Sequence, residues 1–84
     1  MNGYNIYYSP EKFGLTVVDE DERGGSYEFD TIVLWQHEDG TYYWAEDNGC
    51  SCPTPFESFR SLADLEQGRS GYDERRRERA YRGI

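Results

Sequence analysis

The chain has 84 residues and a mass of 9.9 kDa, which corresponds to one domain or part of one. This length excludes a kinase, a barrel enzyme, and a dinucleotide-binding unit joined to a substrate domain. Aromatic residues make up 17% of the chain, which favours a folded domain over a disordered one.

Charge is unevenly distributed along the chain, whose net charge is -8. Residues 1–67 carry 14 acidic and 3 basic side chains, whereas residues 68–84 carry 3 acidic side chains and 6 arginines. The acidic body disfavours direct DNA binding, which needs clustered Lys and Arg, but it permits competition with nucleic acid for a basic partner. Residues 1–8 lack the pattern of a secretory signal and no apolar run could span a membrane, so we expect a cytoplasmic protein.

The first part of the chain predicts two short strands separated by a helical turn. Residues 4–8 are aromatic and β-branched in character, which predicts a strand. Residues 9–14 predict one helical turn with an N-cap serine, a proline in the first turn and a terminal glycine. Residues 15–21 predict a second strand, in which Leu15 and Val17 share a face. Residues 22–25 predict a turn whose two glycines are free to adopt positive φ.

The strongest strand pattern covers residues 26–37. Val33 and Trp35 share one face of this predicted strand, and Ile32 and Leu34 share the other. Because apolar side chains point to both faces, we expect a central strand that is covered on both sides.

A hairpin is predicted where Asp39 and Gly40 separate two alternating strands. Asp-Gly favours a two-residue type I′ turn, which fixes the register of the strands. That register pairs His37 with Tyr42, Trp35 with Trp44, and Val33 with Glu46. The sequence therefore predicts a cross-strand pair of tryptophans in the core or at its edge.

The second half of the chain predicts a loop and then one or two short helices. The third strand is expected to end at Glu46, and the glycine and prolines of residues 47–56 predict a loop with a defined path. Ser61 and Asp64 match a capping box that begins a helix ending at Gly68.

The arginine-rich segment at residues 72–82 is helix-prone but barely amphipathic. Three readings stay open: a solvated helix, a frayed tail, or a segment that a partner orders. We accordingly divide the chain into a compact domain at residues 1–68 and a helical or flexible tail at residues 69–84.

Cys50 and Cys52 are the residues most suggestive of chemistry. A CxC pair can supply two ligands of a structural zinc site, which His37, Asp47 or a second copy of the chain would complete. Packing and redox roles are the alternatives, and packing is favoured because a single CxC is a weak motif. A Cys–His nucleophilic pair is disfavoured because the hairpin separates His37 from Cys50, so no catalytic residue and no cofactor is predicted.

The most distinctive stretch of the sequence is residues 49–57, which read Gly-Cys-Ser-Cys-Pro-Thr-Pro-Phe-Glu. Together with residues 9–14, 27–30 and 43–48, this stretch resembles a family of small uncharacterised proteins from actinobacteria and their bacteriophages. The resemblance covers roughly residues 4–65 and leaves the arginine-rich segment outside. It implies a phage or prophage gene product that acts in a bacterial host cell, and it implies no activity.

We therefore expect an α+β fold, with a small antiparallel sheet of three or four strands followed by one or two short helices. The expected function is that of a small acidic, non-enzymatic protein that binds a host or phage protein, as a monomer or a homodimer. The alternatives are a zinc-stabilised module and an acidic inhibitor that mimics nucleic acid. The predicted surface anchors are Trp35, Tyr42, Tyr43 and Trp44, and the predicted loop motif comprises Asp47, Gly49, Cys50, Cys52, Pro53 and Phe56.

Overall fold

The structure, a computed structural model, describes residues 4–25, 27–50 and 55–82. These residues form a four-stranded antiparallel sheet of order β1-β2-β3-β4, followed by one α-helix. The elements are β1 Leu15–Glu22, β2 Glu28–His37, β3 Tyr42–Cys50, β4 Glu66–Gln67 and α1 Arg69–Arg82, with 3₁₀ turns at Pro10–Phe13 and Leu62–Asp64. The predicted α+β class is confirmed.

The prediction of a strand at residues 4–8 is wrong, because these residues form a turn that the Asn5 side chain stabilises. The Asn5 Oδ1 atom accepts hydrogen bonds from the backbone N–H groups of Tyr7, at 2.7 Å, and Tyr8, at 3.0 Å. Asparagine commonly stabilises a turn in this way, which competes with strand pairing. The helical turn predicted next is confirmed as a 3₁₀ turn, although the Ser9 side chain makes no capping hydrogen bond.

The strand β2 is central and covered on both faces, as its sequence predicts. On one face, Val33 and Trp35 belong to a cluster that is closed by the segments before β1 and after β3. On the other face, Ile32 and Leu34 pack with Tyr72 of α1. The fold therefore has three layers, with the sheet in the middle.

The predicted hairpin register is wrong by one residue. Three residues, 38–40, form the loop, since the N–H of His37 donates to the carbonyl of Thr41 at 2.7 Å. The N–H of Gly40 donates to the carbonyl of His37 at 2.8 Å, and Gly40 has φ of 95°. A type I turn followed by a glycine bulge gives this longer loop in place of a type I′ turn.

The one-residue shift separates the two tryptophans. Trp35 pairs with Tyr43, and Leu34 pairs with Trp44. Because side chains alternate between faces, Trp35 lies in one cluster and Trp44 packs against the other. The predicted tryptophan pair therefore does not exist.

Strand lengths and edges also differ from the prediction. The strand β3 continues past Glu46 to Cys50, pairing with β2 over its whole length. A register shift between Val17 and Asp19 marks a bulge in the edge strand β1, where Val17 is 44% exposed instead of facing the core. A bulge in an edge strand discourages pairing with other chains.

The segment after the loop forms a short strand and a long helix. The Asp64 carboxylate accepts a hydrogen bond from the N–H of Ser61 at 3.1 Å, so this part of the predicted capping box is confirmed. The helix expected there is only a 3₁₀ turn, and β4 follows it. At Gly68, which has φ of 104°, the chain turns into α1.

No helix in the described ranges is long and apolar enough to cross a membrane.

Candidate functional site

The helix α1 faces the sheet with a stripe of arginines. Tyr72, Arg75, Arg76 and Arg79 follow the i, i+3, i+4, i+7 spacing that places side chains on one face of a helix. Tyr72 and Arg79 are buried, and Arg79 is only 1% exposed. The segment is therefore packed on the sheet, which none of the three readings from the sequence anticipated.

The sheet presents a matching group of carboxylates to this stripe. Nη1 of Arg79 donates to Asp30 Oδ1 at 2.8 Å and to Glu46 Oε2 at 2.7 Å, and Nη2 lies 3.3 Å from Asp21 Oδ2. Arg76 binds Asp19, whose carboxylate also accepts a hydrogen bond from the Tyr72 hydroxyl. A buried arginine is tolerated only with such compensation, because an unpaired buried charge is strongly unfavourable.

The charge network shifts the pKa values of its carboxylates. Burial alone would raise the pKa of Glu46, but hydrogen bonds and charge from Arg75 and Arg79 outweigh it and lower the pKa. Burial also opposes the shift at Asp21, where bonds from Arg23 and Arg79 lower the pKa. Both carboxylates are therefore held in the ionised form, and the arginines that bind them are occupied within the fold.

A groove lies along the outer edge of β3, beside β4. It has a volume of about 240 Å³, and its lining residues are Trp44, Ala45, Glu46, Phe59, Asp64 and Glu66. Phe59 packs against the cluster on one face of the sheet, and Trp44 packs against the cluster on the other. The groove therefore runs over the edge of the sheet and combines two partly buried aromatic rings with carboxylates.

Local structure holds the two sides of this groove in place. The Asp64 carboxylate accepts hydrogen bonds from the N–H groups of Arg60, at 2.8 Å, and Ser61, at 3.1 Å, which fixes the 3₁₀ turn. On the other side, Trp44 contacts α1 closely, since a Cβ atom at Gly71 would lie 3.0 Å from the indole Nε1. Glu66 is exposed at the rim of the groove.

Comparison with known proteins gives a family for this chain. Residues 4–82 match the sequence model of a family described as Domain of unknown function (DUF7574). The chain belongs to this DUF7574 family. No curated protein and no solved structure matches it.

The family match corrects the extent of the resemblance found in the sequence. That resemblance ended near residue 65 and left the arginine-rich segment outside, whereas the DUF7574 match includes α1. The helix is therefore part of the DUF7574 domain as the family defines it. An uncharacterised family is confirmed by this match, and its origin and activity remain predictions.

The four predicted surface anchors of this DUF7574 domain lie in different environments. Trp35 is 0% exposed and forms part of the core, so it offers no surface to a partner. Tyr43 is half-buried against the same cluster. Tyr42 and Trp44 are half-buried beside α1, and Trp44 also lines the groove. Of these anchors, Trp44 lines the groove beside β4.

The loop motif is described only in part. The Asp47 carboxylate accepts a hydrogen bond from the N–H of Phe56 at 2.8 Å, and Phe56 is buried with φ of 63°. A second cavity, of about 350 Å³, is lined by Glu28, Phe29, Asp30, Asn48 and Gly49. Cys52 and Pro53, together with the side chain of Cys50, lie outside the described residues, so the zinc alternative stays a prediction.

The single histidine lies at the hairpin. Its Nδ1 atom accepts a hydrogen bond from the N–H of Asp39 at 3.2 Å, and its ring packs edge-on against Tyr43. Within residues 4–25, 27–50 and 55–82, no three His, Cys, Asp or Glu residues form a group that could hold a metal ion.

The sequence analysis did not predict two residues that line the groove, the aromatic Phe59 and the acidic Glu66. Phe59 carried a signal, because apolar residues recur at positions 59, 62 and 65, and all three pack in the same cluster. Glu66 carried none, because a single acidic residue in an acidic chain is not distinctive. Only the fold places Glu66 beside Trp44, through the pairing of β4 with β3.

Proposed function

We propose that this DUF7574 domain is a small, non-enzymatic protein-binding module that acts on a host or phage protein inside a bacterial cell. The observation that carries the proposal is the groove at the edge of β3, which the half-buried residues Trp44 and Phe59 line from opposite sides of the sheet edge. Partly buried tryptophans in concave surfaces commonly dominate the binding energy of protein interfaces.

The charge of the molecule supports a protein partner over nucleic acid. The net charge is -8, and Arg75, Arg76 and Arg79 are engaged by carboxylates of the sheet. Because these arginines are occupied, they do not provide the basic surface on which phosphate binding depends. An acidic module instead favours association with a basic protein surface.

Site-specific crosslinking in cells that express the protein tests this proposal. The photoreactive residue benzoylphenylalanine would replace Ala63, which is exposed next to the groove residue Asp64, and in a control it would replace Glu74, which is exposed on α1. We expect a discrete protein adduct from position 63 and none from position 74.

Two results of the crosslinking experiment would count against a protein-binding role. Equal adducts at both positions would indicate non-specific contact, and no protein adduct at position 63 would contradict protein binding at the groove. Circular dichroism of both variants establishes that the fold is intact before either result is interpreted.

A further inference from the structure

The contact between α1 and the sheet shows how this fold surrounds arginine side chains. The sheet offers carboxylates to Arg75, Arg76 and Arg79. The guanidinium of Arg76 also lies 5.9 Å from the ring centroid of Tyr72 on the same helix, and that of Arg69 lies 5.5 Å from the ring centroid of Tyr42 on the sheet. Carboxylates and aromatic faces together are what a guanidinium group binds best.

The groove beside β4 repeats this combination on the surface. Its lining includes the aromatic residues Trp44 and Phe59 and the acidic residues Glu46, Asp64 and Glu66. Arg75 and Arg79 neutralise Glu46, whereas Asp64 is bound by backbone N–H groups that carry no net charge. The groove therefore keeps a negative charge next to two aromatic rings.

We propose that the groove binds an arginine-bearing segment of the partner protein, with a guanidinium group between the Trp44 ring and the carboxylates of Asp64 and Glu66. This inference rests on the protein-binding role proposed above and names the chemistry of the partner. Charge complementarity selects a basic segment, and the aromatic lining selects arginine over lysine, because a planar guanidinium stacks on a ring and is weakly hydrated.

The volume of the groove fits a side chain rather than a folded element. At about 240 Å³ it accommodates a guanidinium group and its aliphatic stem, but not a helix. The stem of an arginine also packs well against apolar surface, here that of Phe59, while its charged end stays near the carboxylates.

Selection from a phage-displayed library of random dodecapeptides against the full chain tests the proposal. We expect the selected peptides to be enriched in arginine, and replacement of their arginine by lysine to weaken binding. Peptides without arginine enrichment, or with equal affinity after the lysine replacement, would overturn the proposal.

Two charge variants locate the binding site. Glu66→Gln removes a groove carboxylate, and Glu74→Gln removes an exposed carboxylate of the outer face of α1 as a matched control. We expect Glu66→Gln to weaken peptide binding by roughly fivefold, as for a partly exposed ion pair, and Glu74→Gln to leave it unchanged. Equal affinities of the two variants for the peptide would refute the assignment.

The indole N–H signals in NMR spectra supply a readout that does not depend on charge. Addition of a selected peptide should shift the signal of Trp44 and leave that of the buried Trp35 in place. A shift of neither signal would overturn the proposal. If crosslinking at position 63 finds a partner but the peptides show no preference for arginine, the protein-binding role stands and the arginine inference fails.

Discussion

Nη1 of Arg79 donates a hydrogen bond to Oε2 of Glu46 at 2.7 Å, although the two residues lie 33 positions apart in the chain. The bond joins α1 to the central part of the sheet. Asp30 accepts a second hydrogen bond from the same nitrogen, and Asp21 accepts one from the other end of the guanidinium group. One side chain therefore connects all three long strands to the helix.

Loss of the Arg79 charge should destabilise the fold. Arg79→Met keeps much of the side-chain volume but leaves the carboxylates of Asp21, Asp30 and Glu46 without their shared partner. We expect the free energy of unfolding to fall by about 3 kcal/mol, the lower end for a broken buried ion pair because these carboxylates are partly solvated. Urea denaturation followed by circular dichroism measures the change. Arg77→Met, on an exposed side chain of the same helix, should change it little, and equal stabilities of the two variants would contradict the role of Arg79.

Acid should weaken the contact between α1 and the sheet. The pKa values of Asp21 and Glu46 are lowered in the folded state, so their contribution to stability is complete above the ordinary values of 3.8 and 4.5. It is lost as the pH falls through the lower folded values, because protonation then favours the unfolded chain. Urea denaturation between about pH 7 and about pH 3 should show a fall in stability below about pH 4.5. The fall should be shallower in Arg79→Met, and an equal slope would argue against this cause.

Tyr72 should ionise at a higher pH than an ordinary tyrosine. Burial, together with its hydrogen bond to the Asp19 carboxylate, raises its pKa from 10.0 to about 12. The folded state therefore holds the neutral hydroxyl, and this contribution to stability is lost as the pH rises from the unfolded value towards the folded one. The difference between the phenolate absorbance titrations of the wild type and Tyr72→Phe should have a midpoint near pH 12. A midpoint near pH 10, with the fold intact by circular dichroism, would show that the hydroxyl is not held in this way.

Two adjacent glycines should respond differently to alanine. A Cβ atom at Gly24 would lie 2.3 Å from the carbonyl oxygen of Glu28 and 2.5 Å from the Cα of Phe29, whereas a Cβ atom at Gly25 would meet nothing within 4 Å. Gly24→Ala should cost about 2 kcal/mol of unfolding free energy, as overpacking against backbone does, and Gly25→Ala should cost much less. Thermal denaturation compares the two variants. A tolerated Gly24→Ala would mean that the turn can widen.

The structure gives these glycines a different role from the one predicted from the sequence. The sequence predicts a turn at residues 22–25, and in the structure Gly24 and Gly25 lie in the connection between β1 and β2. The reason expected from the sequence was positive φ, yet neither residue has it. Gly24 is needed for close approach to β2, and such an approach is a tertiary contact that the local sequence does not contain.

The sheet was predictable where periodicity decides the structure. The continuous apolar run of Ile32, Val33, Leu34 and Trp35 puts apolar side chains on both faces, which was sufficient to predict a central strand with two buried faces. The register depended on the length of the turn. A glycine at position 40 is compatible with both a two-residue and a three-residue loop, so the sequence did not decide between them. A single residue in the loop decided which face each side chain of β3 occupies.

The docking of α1 could not be read from apolar periodicity. The stripe that faces the sheet contains one tyrosine and three arginines, so the helix lacks the apolar face by which packing is usually predicted. Its partners, Asp19, Asp21, Asp30 and Glu46, are spread over three strands and become a cluster only when the sheet forms. Trp44, one of the residues that line the groove, was predicted from the sequence as a site residue. The acidic residues of the groove could not be predicted in the same way, because they come together only when the sheet forms.

The separation of Trp35 and Trp44 onto opposite faces of the sheet gives the molecule two fluorophores in different layers. Trp35 lies 5.8 Å from the ring of Phe56, measured between centroids, while Trp44 packs beside α1. Variants with a single tryptophan would each report the melting of one layer. Coincident transitions would mean that helix and sheet unfold as one cooperative unit, and an earlier transition at Trp44 would mean that the helix detaches first.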